Sequence, residues 1–226
     1  MGAGAQFESA FIVKGPNLTA NAQLSGLAST YAGLQVQADS VVVDGIYFYC
    51  SDATNTPYGL AISDYETHSG SSGHANSGRG CGVFNCEFQG DVNGSSSIYG
   101  LGLSGVENAK IAGNHFRYSK RGLTLGGGPN RYANSNVLKD NVFSGCERAI
   151  VHQNAAVAEN TIEKAMVTDK STYGFSLVAG LDFTTGAGAH AVFCHVGHAT
   201  KGTAYVPGTG NVFTACYYTN NLYDGT

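Results

Sequence analysis

Four residues with aromatic or guanidinium side chains occupy the same position in a recurring strand pattern. Each comes directly before a short stretch in which small and apolar residues alternate: Tyr58, Tyr99, Arg121 and Arg148, with Tyr173, Lys201 and, as a further candidate, Lys164 extending the series. Tyrosine rings stack on the faces of sugars, and arginine binds carboxylated or phosphorylated sugars. If the stretches lie in register, these side chains form a glycan-binding edge. The pattern also fits a solvated turn edge whose side-chain stems cover apolar surface.

Three carboxylates are weak candidates for catalysis: Glu87, Asp140 and Glu147. Hydrolysis of a glycosidic bond needs two carboxyl groups that face one bond, roughly 5–9.5 Å apart. Adjacent strands lie about 4.8 Å apart, so acids at matching positions of neighbouring repeats meet this requirement. No two acids share such a position clearly. Glu87 and His115 do share one, but it lies between inward positions and should face outward, so the sequence assigns no catalytic residue.

No cluster of residues predicts a metal or a cofactor. His195 and His198 are three residues apart, which on a strand turns their side chains to different faces. The glycines at 126–128 lack the lysine and the Ser or Thr that end a phosphate-binding loop. There is no CxxC pair, and several of the six cysteines stand within strand patterns. We expect reduced cysteines that pack as small apolar residues, with some disulfide as the alternative.

The composition disfavours several classes of protein. The 226 residues suffice for one elongated domain or two small ones, and a net charge of −4 without a basic tract disfavours nucleic acid as a partner. No apolar run approaches the roughly 18 residues that a membrane span needs. The N-terminal stretch MGAGAQFESAFIVKG lacks the basic and apolar regions of a secretory signal. Abundant glycine with only 12% charged residues is typical of an all-β protein with many turns.

One short phrase, apolar at both ends with asparagine at its fourth position, recurs along the chain. It stands at residues 111–116, 138–143 and 157–162, with looser copies at 43–48 and 83–88. Such a phrase cannot bury its own apolar side, so it predicts a unit stacked on copies of itself. We expect one ladder of buried amides, formed by Asn114, Asn141 and Asn160. We also expect one buried stack of rings, formed by Phe88, Phe116 and Phe143.

A second strand pattern follows each phrase after a short gap. Its copies are residues 33–36, 59–62, 100–103, 122–125, 149–152, 174–177 and 202–205. Alternation with period two indicates a strand with one face inward. Two strands per repeat, coiled in one direction, predict an all-β parallel β-helix with side loops. We assign residues 1–10 to an N-terminal lead-in and 11–226 to the β-helix, with less regular coils from residue 170 onward.

The repeats resemble those of a known superfamily. The segments VVVDGIYF, GVFNCEF, NAKIAGNHFRYSKRGLTLGG, NVLKDNVFSGCERAIVHQN and AAVAENTIEKAMV are similar to right-handed β-helix repeats of the pectate-lyase-like superfamily, and more narrowly to those of bacteriophage tailspikes and related virion proteins. The resemblance covers roughly residues 10–168 and implies a right-handed parallel β-helix. The superfamily's enzymes carry a calcium-binding Asp cluster with an Arg or Lys base, or NTD, paired-Asp and GHG motifs, and none of these is found here.

The resemblance implies a structural and surface-display protein of a phage virion. We expect either a receptor-binding part of the tail or a capsid decoration protein, assembled as a homotrimer with other virion proteins. Host surface polysaccharide is the expected ligand, and no cofactor, nucleic acid or membrane is expected. One alternative is a polysaccharide depolymerase of tailspike type. A bacterial surface adhesin is a further alternative, which the missing secretion signal disfavours.

Overall fold

The chain coils into a stack of parallel strands. The computed structural model describes residues 12–20, 32–36, 39–49, 58–63, 79–94, 98–126, 132–153, 157–169, 173–197, 203–206 and 208–219. Every strand pair in these ranges is parallel, and neighbours come from successive turns of the chain. Among these residues there is no helix, and so none long and apolar enough to span a membrane. The predicted all-β class and parallel β-helix are confirmed; the predicted lead-in, residues 1–10, lies outside the described residues.

The strands form three faces, and β3 (Val42–Tyr49) runs through the first two. The first face continues with β5 (Gly82–Phe84), β9 (Lys110–Ala112), β13 (Val137–Lys139), β16 (Thr161–Glu163), β19 (His190–Val192) and β22 (Val212–Thr214). The second continues with β6 (Glu87–Gln89), β10 (His115–Arg117), β14 (Val142–Ser144), β17 (Met166–Thr168), β20 (His195–Gly197) and β23 (Tyr217–Thr219). The third contains β2 (Ala32–Val36), β4 (Tyr58–Ser63), β7 (Tyr99–Ser104), β11 (Arg121–Leu125), β15 (Arg148–His152), β18 (Ala179–Asp182) and β21 (Thr203–Val206). β1 (Ile12–Ala20) pairs with β3 along both of the first two faces. Outside the three faces, β8 (Val106–Glu107) pairs with β12 (Ala133–Asn134).

The prediction of two strands per repeat was wrong, because the recurring phrase crosses a corner of the coil. In the copy at 111–116 the first apolar residue, Ile111 in β9, lies on the first face and the last, Phe116 in β10, on the second. The copy at 157–162 crosses the preceding corner instead and ends on the first face, with Ile162 in β16. Strands of three residues are too short to show a period-two pattern of their own. The phrase therefore looks like a single strand in the sequence while it supplies two strands and a turn.

Residues with positive φ mark the corners on both sides of the first face. The corners before it hold Ser40, Gly80, Asn108, Ser135, Glu159, Gly188 and Gly210, and those after it hold Gly45, Asn85, Gly113, Asp140, Lys164, Phe193 and Ala215. A left-handed residue bends the chain there, and the residue that follows points inward. Gly113 (φ 67°) and Asp140 (φ 52°), for example, precede the buried Asn114 and Asn141. A bulky side chain is unusual in this conformation, and Phe193 is the exception.

The inward asparagines form two ladders at two corners of the coil. The Nδ2 of Asn114 donates to the Oδ1 of Asn141 over 3.0 Å, and the Nδ2 of Asn136 donates to the Oδ1 of Asn160 over 3.0 Å. The placement of Asn160 in the first ladder was therefore wrong. The strand β16 pairs Ile162 with Leu138, which puts Asn160 above Asn136, 24 residues earlier. Both ladders also cap backbone N–H groups, as the bond from the N–H of Cys86 to Asn114 shows (2.9 Å).

A stack of parallel rings fills the core beneath the second face. Neighbouring rings of Phe48, Phe88, Phe116 and Phe143 lie 4.7–4.8 Å apart with interplanar angles of 6–8°. The predicted stack is thus confirmed and gains Phe48 as a further member. Glycines of the third face make room for these rings: a Cβ on Gly122 would lie 2.5 Å from the Cδ1 of Phe143. One coil further along, the larger Ala149 takes the position of Gly122, and the smaller Val167 takes the position of Phe143.

Candidate functional site

Tyr58, Tyr99, Arg121 and Arg148 lie side by side on the third face. Strand pairing joins Tyr58 to Tyr99, Tyr99 to Arg121 and Arg121 to Arg148, which confirms their predicted register. We call these four residues the Tyr–Arg column. In the following coils the column continues through Ala179 and Thr203.

The predicted extension of the column was wrong for Lys164 and Tyr173. Lys164 lies at a corner with φ 53°, and Tyr173 packs edge-on against Tyr118, with 6.5 Å between the ring centroids. Residues 174–177 form no strand, because the N–H groups of Phe175 and Leu177 are turned to Gly145 O (2.9 Å) and Asp169 Oδ1 (2.7 Å). The strand of this coil is β18, which starts at Ala179. Lys201 lies outside the described residues.

Tyr58 supports the column from within. It is 4% exposed, and its ring packs against that of Tyr99 with 5.0 Å between centroids and 55° between planes. Its ring also covers Gly102, where an added Cβ would lie 2.7 Å from the Cε1 of Tyr58. Tyr58 therefore offers no open face to a sugar without moving, and its packing orders Tyr99, which is partly exposed.

Arg121 is held on the other side of Tyr99. Its Cζ lies 5.1 Å from the centroid of that ring, a distance typical of a cation–π contact. Within the described ranges, no carboxylate lies at ion-pair distance from Arg121. Its guanidinium is partly exposed and keeps hydrogen-bond donors for an external anion.

Arg148 is engaged by two carboxylates of the protein. Its Nη1 forms an ion pair with Asp182, and its Nε lies 3.9 Å from Glu147 Oε1. Asp182 is buried and also accepts hydrogen bonds from the backbone N–H (3.2 Å) and the hydroxyl (2.6 Å) of Thr184. Asp182 was missed from the sequence because the strand of its coil was predicted at residues 174–177. Arg148 therefore has two carboxylate partners, whereas Arg121 has none among the described residues.

The three weak catalytic candidates do not form one site. Glu87 lies on the second face in an ion pair with Arg117, Asp140 occupies an exposed corner, and Glu147 lies beside Arg148. Glu87 and His115 are paired in register, as predicted. His115, however, hydrogen-bonds through Nε2 to the Oγ of Ser144 (3.0 Å), and its partial burial lowers its pKa. Glu87 and His115 thus interact with Arg117 and Ser144, and not with each other.

The described residues contain no group of three His, Cys, Asp or Glu side chains that is arranged to hold a metal ion. His195 lies in β20 opposite Tyr217, and His198 lies outside the described ranges. The spacing of His195 and His198, which disfavours them as a metal-binding pair, is therefore the evidence that bears on this point.

The class of protein that the architecture defines is the parallel β-helix. No protein-family model and no curated protein sequence matches the chain. Among solved structures, the fold is similar to that of PfbA, a surface adhesin of Streptococcus pneumoniae, with a TM-score of 0.50 and 13% sequence identity over 80% of this chain. The chain spans 44% of that structure. At this identity the likeness shows a shared fold and nothing finer.

Proposed function

We propose that this protein is a surface-display component of a phage virion that binds acidic glycans of the host surface. Both a tail receptor-binding part and a capsid decoration protein fit this role. The β-helix repeats, which resemble those of tailspikes, support the virion assignment. A surface adhesin with the same type of fold is a precedent for the display of such a coil.

Arg121 is the observation that carries the binding proposal. It is oriented by Tyr99 and retains donors for an external anion, because no described carboxylate pairs with it. A guanidinium binds a planar carboxylate or a sulfate through two parallel hydrogen bonds, and its position over an aromatic ring reduces the entropy lost on binding. Arg148 lies on the next coil, about 4.8 Å further along the stack. It could exchange its contact with Glu147 for a second acidic group of the same glycan.

Binding to defined acidic polysaccharides tests this role. We expect polygalacturonic acid and polysialic acid to bind with an affinity that falls as salt rises, and uncharged dextran not to bind. Arg121→Ala should weaken binding about tenfold, equivalent to ~1.4 kcal/mol. Arg79→Ala is the matched control, since Arg79 is an exposed arginine that pairs with Glu107 away from the column. Equal losses in both variants, or no binding to either acidic polymer, would contradict the proposal.

Homotrimer assembly is a second part of the proposal. The strands β21, β22 and β23 have a pairing partner on one side only within the described part of the chain. Unpaired strand edges favour association with another chain, and Val212 and Tyr217 are exposed on these last strands. Light scattering should report three copies per particle. A monomer that persists at high concentration would contradict this part of the proposal.

A depolymerase is the alternative that one observation favours. Two carboxylates, Glu147 and Asp182, approach the same guanidinium of Arg148 on the face where we place the glycan. Both carboxylates are engaged by Arg148, and Asp182 also accepts hydrogen bonds from Thr184, whereas glycoside hydrolysis needs two carboxyl groups that face the scissile bond. Binding without cleavage is therefore the better-supported function.

A further inference from the structure

Two cysteines occupy the same inward corner position in the last two described coils. Cys194 and Cys216 directly precede His195 and Tyr217, which are strand partners in β20 and β23. The N–H of Tyr217 donates to the carbonyl of Cys194 over 2.8 Å, so the two coils are in register at this corner. Neighbouring strands lie about 4.8 Å apart, within the range of roughly 4.4–6.8 Å between Cα atoms that a disulfide spans.

The thiol of Cys216 contacts the coil that contains Cys194. The Sγ of Cys216 lies 3.4 Å from the carbonyl oxygen of Ala191, which belongs to the coil of Cys194. The neighbouring Cys194 thiol lowers the pKa of Cys216, and the Cys216 thiol together with burial raises the pKa of Cys194. Cys216 is therefore a partly exposed cysteine with a lowered pKa beside the buried Cys194.

Cys86 and Cys146 are buried and differ from this pair. Cys86 occupies the same column, but the next coil places Asn114 there, whose Oδ1 accepts the N–H of Cys86. Burial raises the pKa of Cys86 to about 11 and that of Cys146 to about 12, so neither forms a thiolate near neutral pH. Cys81 is buried as well, and burial raises its pKa.

We propose that Cys194 and Cys216 form a reversible disulfide that fastens the last described coil to the one before it, when the protein meets a low-molecular-weight disulfide. The Cys216 thiolate attacks one sulfur of the small disulfide, which forms a mixed disulfide and releases one small thiolate. The Cys194 thiol then gives its proton to solvent, and its sulfur attacks the sulfur of Cys216 and expels the second small thiolate. The protein loses two electrons and the small disulfide gains two.

This bond would act on the last coil of the described residues. Within the described residues the last strands have an open edge, and the hydroxyl of Tyr205 bridges the same two coils through the carbonyls of Cys194 (3.1 Å) and Tyr217 (2.6 Å). A covalent link at that corner restrains the terminal coil in oxidising surroundings. In reducing surroundings the same coil relies on backbone and tyrosine hydrogen bonds.

Peptide mapping of the full chain tests the proposal. Reduced protein is incubated with oxidised glutathione, its remaining thiols are alkylated after denaturation, and peptides are analysed by mass spectrometry without reductant. We expect one linked pair containing Cys194 and Cys216, lighter by two hydrogens and reversed by dithiothreitol. Cys216→Ser and Cys194→Ser should abolish it, whereas Cys86→Ser, at the same column position, should leave it intact.

A second measurement covers variants that fail to fold. In the native wild-type chain, iodoacetamide should alkylate Cys216 before the buried cysteines, and prior alkylation should prevent the link. A lasting mixed disulfide at Cys216 without the link, a link between two chains, or no reaction at Cys216 would each overturn the proposal.

Discussion

The guanidinium of Arg121 lies over the ring of Tyr99 on the neighbouring coil, with 5.1 Å between Cζ and the ring centroid. The far side of Tyr99 is packed against Tyr58, which is buried, so the ring has little freedom to move. This arrangement fixes the direction of the Arg121 side chain before any ligand arrives, and such preorganisation lowers the entropic cost of binding. Arg148, one coil further, lacks this support and is held by Asp182 instead.

The stack of phenylalanines should carry a large share of the stability. Phe116 lies between Phe88 and Phe143 and is fully buried, so Phe116→Ala removes two ring contacts and leaves a cavity. We expect the free energy of unfolding, measured with urea, to fall by about 3–5 kcal/mol. Phe193→Ala is the control: Phe193 is 55% exposed, and its loss should cost less than about 1 kcal/mol. A loss below about 1 kcal/mol for Phe116→Ala would contradict the packing described above.

Gly122 and Phe143 should show coupled stability. A Cβ at Gly122 would lie 2.5 Å from the Cδ1 of Phe143 and 2.8 Å from the carbonyl oxygen of Ala149, so Gly122→Ala forces the core to shift. We expect a loss of about 1–3 kcal/mol from this overpacking.

The double variant Gly122→Ala/Phe143→Val tests the cause of that loss. It copies the combination found one coil further along, where Ala149 occupies the position of Gly122 and Val167 that of Phe143. The double variant should be more stable than the sum of the two single losses predicts, by at least about 0.5 kcal/mol. Additive losses would mean that the clash with the Ala149 carbonyl oxygen, and not the clash with the Phe143 ring, causes the destabilisation by Gly122→Ala.

The sequence predicts those parts of the fold in which a single residue type repeats in register. Two features were predicted correctly: the ring stack of Phe88, Phe116 and Phe143, and the order of the Tyr–Arg column. In both, each residue holds the same position within its phrase or strand pattern. Asn160 was misplaced because two corners of each coil follow the same rule, a residue with positive φ followed by an inward asparagine or small residue. Choosing between the two corners requires the strand pairing, which varies with loop length.

The site was less predictable than the fold. Asp182 lies in a strand whose start the sequence did not reveal, because the preceding residues alternate equally well but make loop hydrogen bonds. The burial of Tyr58 depends on contacts across coils with Gly102. The local sequence pattern predicts neither the position of Asp182 nor the burial of Tyr58. Each of them changes which members of the column are available to bind a ligand.

His152 should make the protein sensitive to acid. Its ring is buried in the core, stacked on Phe183 with 4.2 Å between centroids, and neither ring nitrogen has a hydrogen-bond partner among the described residues. Burial lowers its pKa to about 4, against the ordinary 6.5, although the charge of Asp182 and the backbone of Thr185 act in the opposite direction. The folded state therefore takes up this proton less readily than the unfolded state.

The sign of the effect follows from that difference. Above pH 6.5 His152 is neutral in both the folded and the unfolded state, so its full contribution to the free energy of unfolding is present. Between pH 6.5 and 4 the unfolded state binds the proton first, so the free energy of unfolding falls as the pH falls. The expected loss is about 3 kcal/mol across this range, from roughly 1.4 kcal/mol per pKa unit. His152→Phe should flatten urea-unfolding profiles measured across this range, whereas His190→Gln, a change at an exposed histidine, should not. An unchanged slope in His152→Phe would contradict the assignment.

Binding at the Tyr–Arg column should occur without cleavage. The acids near the column, Glu147 and Asp182, are both ion-paired with Arg148, and Asp182 also accepts hydrogen bonds from Thr184, so neither carboxylate is free to act on a glycosidic bond. Glu87 is paired with Arg117 on another face, which removes it from the same bond. We expect no new reducing ends and no unsaturated products when the protein is incubated with the acidic polysaccharides that it binds. Release of defined oligosaccharides that is lost in Glu147→Gln or Asp182→Asn, with binding retained, would instead establish a depolymerase, with these two carboxylates as its catalytic pair.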